Sequence, residues 1–104
     1  IEHTYQEDIE DPAEVRREVA RLARELAREL APEGRPAVRI VVKVRFAPFD
    51  THTHGVTLEE PSLDAAALEA AALAALDRFS LDRPVRLLGV RAELATPGAP
   101  AAGR

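Results

Sequence analysis

Residues 38–46, Val38-Arg39-Ile40-Val41-Val42-Lys43-Val44-Arg45-Phe46, carry the pattern that decides the fold. Val38, Ile40, Val42, Val44 and Phe46 fall on one side of an extended chain, and Arg39, Val41, Lys43 and Arg45 on the other. Successive side chains of a strand point to opposite faces, so this alternation predicts a half-buried β-strand. One face enters a core; the other is left to water and charge. Ala47-Pro48-Phe49-Asp50 interrupts the run and Thr51 to Leu58 resumes a β-rich one. Together they predict an antiparallel hairpin with a longer loop.

Upstream of the hairpin, Asp11-Pro12-Ala13-Glu14 is a helix start. Asp11 suits the N-cap, Pro12 the first helical position, and Glu14 completes an Asp-x-x-Glu capping box. Val15, Val19, Leu22, Leu26 and Leu30 recur at spacings of three and four, an apolar stripe on a helix ended by Pro32, Gly34 and Pro36. Before it, Glu2 to Ile9 reads as a short strand. Downstream, Pro61 and a Ser62 cap precede a second helix, Leu63 to Phe79, with Leu68, Ala72, Leu73, Leu76 and Phe79 as its stripe. Pro84 opens a last strand, Val85 to Leu94, in which the lone Gly89 suggests a bulge. The order is βαββαβ. It predicts an α+β fold: one four-stranded antiparallel sheet with two helices packed on one face. Residues 1–95 form the domain. Thr96 to Arg104, mostly Ala, Pro and Gly, is expected to be a flexible tail or linker.

The composition is consistent with one domain. The chain has 104 residues, which supports a single core. It has no cysteine, excluding a disulfide scaffold, a thiolate zinc site and a cysteine nucleophile. No run approaches the ~18 apolar residues of a membrane span, so a soluble, cytoplasmic monomer is expected. Methionine is absent and the chain opens on Ile1, as an excised piece of a longer polypeptide would. Arginine outnumbers lysine 13 to 1, which a GC-rich genome explains as readily as arginine-specific chemistry.

The net charge of −4 hides a division along the chain. Residues 1–34 hold 5 basic and 10 acidic side chains, and residues 59–82 hold 1 and 6. Residues 35–58 and 83–104 each hold 4 and 1. The helix-bearing segments are thus acidic, and those with the last three strands basic. No acid interrupts the Arg39, Lys43, Arg45 row. If that row lies on the uncovered sheet face, the face presents a positive field suited to phosphates.

Catalytic machinery is not evident. Asp50, His52 and His54 alternate and share one strand face, as a two-histidine, one-carboxylate metal site would need. Same-face neighbours on one strand lie ~6.5–7 Å apart, too far to close easily on one ion, so no metal is expected. Ser62 reads as a cap and Ser80 as a loop residue. Glu59-Glu60 and Glu7-Asp8 read as surface charge, not a buried acid–base pair. Nor is this a base-stacking RNA sheet: Tyr5 and Phe46 fall on core rows and Phe79 on a helix. An open face of Arg, Lys and Thr grips a backbone and does not read bases.

Four stretches, in order, resemble one known family. Glu2-His3-Thr4-Tyr5 is similar to a Glu-Arg-Thr-Phe opening strand. Lys43-Val44-Arg45-Phe46-Ala47-Pro48-Phe49 is similar to Lys-x-Arg-Tyr-x-x-Phe. Thr51-His52-Thr53-His54-Gly55-Val56-Thr57-Leu58 is similar to Thr-x-Thr-Arg-Ser-x-Thr-Leu. Arg83-Pro84-Val85-Arg86-Leu87-Leu88-Gly89-Val90-Arg91 resembles a closing strand. These belong to the little finger domain of Y-family translesion DNA polymerases, with the DNA polymerase IV branch nearest in look. The resemblance implies the same βαββαβ fold. It also implies a DNA-binding domain tethered after the thumb, laid along the major groove of the primer–template duplex. Such a domain contacts phosphates, influences lesion bypass and processivity, and meets the sliding clamp. The catalytic carboxylates and their Mg²⁺ belong to the palm, so this domain needs no cofactor and does not polymerise by itself.

Carried over residue by residue, Lys43, Arg45, Arg86 and Arg91 match basic positions, and Thr4, Thr51 and Thr53 match hydroxyl positions that can donate to phosphates. His54 stands where the family usually has arginine, and Val56 where a second basic residue is common. Alternation puts His52, His54, Val56 and Leu58 on the core face, whereas the family pattern sends position 54 towards DNA; a bulge near Gly55 would reconcile the two. The clamp-binding peptide that often ends polymerase IV chains has no counterpart in Thr96 to Arg104. Two other classes stay open: a protein-interaction domain of a catalytically inactive paralogue, recruiting through the acidic helices, and a ferredoxin-like metal sensor using the His-x-His pair.

Overall fold

The structure, a computed structural model, describes residues 2–6 and 8–95. The expected tail, Thr96 to Arg104, lies outside them. Six elements follow in the expected order: β1 (Glu2–Tyr5), α1 (Pro12–Leu30), β2 (Ala37–Phe46), β3 (Asp50–Ser62), α2 (Ala65–Leu76) and β4 (Val85–Leu94). The strands form one antiparallel sheet in the order β1-β4-β2-β3. Both helices cover one face: α1 lies over β1 and β4, α2 over β2 and β3, and the two pack on each other.

Helix α1 begins as its sequence dictates. The Asp11 side chain accepts from Ala13 N at 3.0 Å and Pro12 occupies the first turn. Every residue of the expected stripe, Val15, Val19, Leu22, Leu26 and Leu30, is buried. The helix closes through a 3₁₀ turn, Ala31–Glu33, onto Gly34 at φ +67°, a left-handed conformation that glycine adopts without a Cβ clash. Helix α2 is shorter than its stripe suggested. It starts at Ala65, not Leu63, because Asp64 takes the N-cap and accepts from Ala67 N at 3.3 Å. Ser62 serves one step earlier, its Oγ accepting from Asp64 N at 3.0 Å. Phe79 lies beyond the helix end, half-buried against the core.

The apolar row of β2 is the centre of that core. Ile40, Val42 and Val44 are each 0% exposed, and Leu88 and Val90 of β4 join them from the next strand. The row departs from simple alternation at its start. Val38 is an extra residue against β4, and residues 58–61 of β3 bulge opposite it, so Ala37 enters the core and Val38 is left half-buried. The hairpin turn is tighter than expected: only Ala47, Pro48 and Phe49 separate Phe46 from its partner Asp50, with a cis Ala47–Pro48 peptide. Strand β1 is shorter than expected, ending at Tyr5; Ile9 returns to pair with Val85 as an isolated bridge. Gly89 marks no bulge. It pairs in unbroken register with Lys43 and Thr4, and the irregularity in β4 falls at Arg86.

Candidate nucleic-acid interface

The sheet face opposite the helices is assembled by register. One row crosses all four strands as Thr4, Gly89, Lys43 and Thr53. Toward the hairpin turn lies Leu87, Arg45 and Thr51; away from it lie Glu2, Arg91, Val41 and Gly55, then Glu93, Arg39 and Thr57. Thr4, Lys43, Arg45, Thr51, Thr53 and Arg91 therefore come together on one face, where their parity put them. Val41 and Leu87 are 7% and 9% exposed although no helix covers them. Both stand on the interior strands β2 and β4, flanked by a neighbouring strand on each side. Tyr5, Phe46 and Phe79 pack with the core, and Phe49 projects from the turn at 78% exposure. Among the described residues no aromatic ring lies on the open face.

The two ends of this face differ electrostatically. Near the turn, Arg45 Nε donates to Thr51 Oγ1 at 3.0 Å, a neutral partner, and no carboxylate among the described residues pairs with it. At the far end, Glu93 sits between two arginines. Its Oε1 is 3.8 Å from Arg39 Nε and its Oε2 is 3.4 Å from Arg91 Nη1. Arg39 also donates to Thr57 Oγ1 at 3.4 Å. Its guanidinium lies flat over Gly55, where a Cβ would stand 2.3 Å from Nη2. Counting charge strand by strand missed Glu93, which enters from the neighbouring strand. Its signal was available: it shares parity with Arg91, as Arg39 and Thr57 do with the expected contacts of their own strands.

Two expected contacts are placed otherwise. Arg86 is the extra residue of the β4 bulge, opposite no residue of β2. Its Nη1 donates to Pro48 O at 3.4 Å and its Nε is 3.7 Å from Asp8 Oδ1, so it braces the turn at the margin of the face. His54 pairs with Val42 and lies on the helix side, its ring edge-on to Phe79 at 4.6 Å between centroids. No bulge occurs near Gly55, which pairs with Val41 in regular register. Alternation is thus correct for His54, and the bulge that would have turned it outward is absent.

His52, Asp50 and Arg83 form a structural cluster on the helix side. Asp50 accepts from Arg83 Nη2 at 2.6 Å, and His52 Nε2 lies 3.0 Å from its other oxygen. The Arg83 hydrogen bond, with that of His52 next, holds the Asp50 carboxyl below its ordinary pKa. Arg83 in turn stacks over Phe46, 4.9 Å from the ring centroid. Among the described residues no group of three or more His, Cys, Asp or Glu side chains is placed to hold a metal ion. Among the described residues no helix is long and apolar enough to cross a membrane.

The chain matches the impB/mucB/samB family C-terminal domain over residues 1–102. Among curated proteins it is similar to DNA polymerase IV 2 of Mycobacterium bovis and of Mycobacterium tuberculosis, each 51% identical over 57 residues. That stretch is 55% of this chain and 16% of each relative, so the chain spans a small part of their length. Among solved structures it is similar to the complex of beta-clamp processivity factor and little finger domain of PolIV. That match has a TM-score of 0.68 at 32% identity, covering 96% of this chain and 90% of the other. The insertion ternary complex of Dbh DNA polymerase shares the fold, with a TM-score of 0.62 at 20% identity over 90% of this chain and 28% of that one. The chain belongs to the impB/mucB/samB C-terminal domain family: it is a little finger domain of the Y-family DNA polymerases.

Proposed function

We propose that this domain binds the backbone of primer–template duplex DNA, without sequence readout, on the open face of its sheet. The observation that carries the proposal is the row Thr4, Gly89, Lys43, Thr53, flanked by Arg45 and Thr51 on one side and Arg91 on the other. Cations supply attraction to phosphates; hydroxyls supply short hydrogen bonds that fix register. Gly89 leaves a gap between Lys43 and Thr4 through which a phosphate approaches the sheet. With no ring on this face among the described residues, stacking on bases has no platform. Arg86 contributes at the margin, from beside the turn, and His54 not at all.

In the parent protein this grip would hold the duplex against a catalytic palm, where the carboxylates and Mg²⁺ of a DNA-directed DNA polymerase would act. The domain would tune processivity and lesion bypass by positioning and would catalyse nothing itself, needing no cofactor. A sliding-clamp contact of the parent is supported by the clamp complex of the related little finger. The alternative role, a protein-interaction domain recruiting through acidic helices, is weakened by the pairing of those acids. Asp77 binds Arg16 at 2.6 Å and Glu69 binds Arg24 at 3.2 Å, which spends them on joining α1 to α2.

Fluorescence anisotropy on a labelled primer–template duplex, from ~50 to ~200 mM salt, tests the proposal. Binding that weakens steeply with salt, and is lost when Lys43 and Arg45 are replaced by Glu, is the expected result. Binding indifferent to salt, or unchanged in the double variant, would move the function off this face.

A further inference from the structure

We propose that Glu93 is an internal competitor for DNA phosphate: an affinity-setting residue that masks Arg39 and Arg91 until the duplex displaces it. The proposal rests on the function argued above and deepens it.

The geometry has three parts. First, each Glu93 oxygen faces a different guanidinium, Oε1 toward Arg39 at 3.8 Å and Oε2 toward Arg91 at 3.4 Å. A phosphodiester also offers two anionic oxygens, so the carboxylate occupies the place a phosphate would take between the two arginines. Second, the site is wet. The three side chains are between 40% and 46% exposed, the range in which an ion pair is held weakly and a competing anion can replace it. Third, the fold keeps Arg39 within reach of the competitor. Gly55 has no Cβ, so the Arg39 guanidinium can lie against the sheet, with Nη1 on Thr57, and still face Glu93. Register places Glu93 on this face beside both arginines, whereas Glu2 of β1 stands opposite Arg91 alone.

Two consequences follow for binding. Displacing Glu93 subtracts from the gain of each arginine–phosphate contact, and the freed carboxylate then repels the backbone. A chain with Glu93→Gln keeps the side-chain shape but loses the charge and one of the two acceptor oxygens, and with them both penalties. It should bind the primer–template duplex about 3- to 10-fold more tightly at ~50 mM salt, with a salt slope steeper by about one to two units as Arg39 and Arg91 engage fully. The control is Glu29→Gln, an identical charge change on exposed α1, on the opposite side of the molecule. It should shift affinity by less than about twofold, because a charge beyond a Debye length is screened.

The wild-type salt slope reports on the DNA-binding reading by itself, and the difference between the two variants reports on Glu93. If the wild type binds with a steep slope and Glu93→Gln matches Glu29→Gln, the competitor role is overturned and the binding face stands. If only Glu93→Gln binds, the competitor role stands in its strongest form. If no variant binds, both fall. Equal thermal melting of Glu93→Gln and wild type confirms that a changed affinity does not come from a changed fold.

Discussion

The two faces of β2 occupy the same ten residues and answer to different physics. On the helix side, Ile40, Val42 and Val44 are fully buried, and their identity is fixed by volume. On the open side, Arg39, Lys43 and Arg45 are half-exposed, and what matters is who neutralises them. The open side itself divides. At the turn end Arg45 leans on a threonine; at the far end Arg39 and Arg91 share a glutamate. Residue type alone does not make a cation available to a ligand. The partner brought up by the next strand decides.

The sharpest way to separate the faces is to cut adjacent residues and read different observables. Ile40→Ala removes a fully buried branched side chain and should cost about 2–5 kcal/mol of stability, read as a fall in thermal midpoint. Lys43→Ala, three residues on and facing outward, should stay within about 0.5 kcal/mol. If both destabilise alike, the open face is not open.

Reversing charge at the turn end should cost binding without costing the fold. Lys43→Glu with Arg45→Glu should weaken duplex binding at ~50 mM salt by about 100-fold or more and lower the salt slope by about two units. The thermal midpoint should hardly move. Retained binding would assign the contact to the far end alone and invert the comparison between the two halves.

His54 sharpens the contrast between faces. The family usually carries arginine here, yet His54 packs edge-on against Phe79 on the helix side. His54→Arg should therefore leave the salt slope of duplex binding unchanged, within about half a unit. A slope steeper by one full unit would show that the turn end of β3 rotates on DNA and offers position 54 to a phosphate.

These substitutions also mark how far the sequence could be read. Period-two alternation in 38–46 and the three-and-four spacing in α1 placed the sheet, the helices and the Lys43–Arg45 row on their observed sides, and Thr4, Thr51, Thr53 and Arg91, carried over from the resemblance, join that row by register. Both patterns are local, and burial enforces them: a one-residue slip would expose the whole apolar row. The failures fall where an extra residue breaks the period. Val38 and Arg86 are bulges, invisible in an alternating pattern because a bulge is a property of two strands. Gly89 and Gly55, the glycines that invited a bulge, instead sit in regular register. One clears space between Lys43 and Thr4, and the other lets Arg39 lie flat. Glu93 escaped for the same reason, since cross-strand neighbours need a register that one strand does not carry.

The smallest effect is expected at the turn, where Asp50 holds Arg83 on the helix side. Its carboxyl is held below its ordinary pKa chiefly by Arg83, with His52 second. A carboxyl depressed in the folded state stabilises that state above its unfolded pKa. The contribution is lost as pH falls through the lower, folded value. Both side chains are about half-exposed, so solvent screens the contact, the effect on stability is slight and the titration itself is the better readout. In an NMR titration of the side-chain carboxyl, Asp50 should protonate below the ordinary carboxylate range. Arg83→Gln should move its midpoint up toward the ordinary carboxylate range. His52→Gln should move it less far, because the Arg83 bond is the larger cause. The reverse order would make the histidine the main partner. Arg83 would then be free to join Arg45 at the turn end, and that end would carry more positive charge than the contrast drawn above allows.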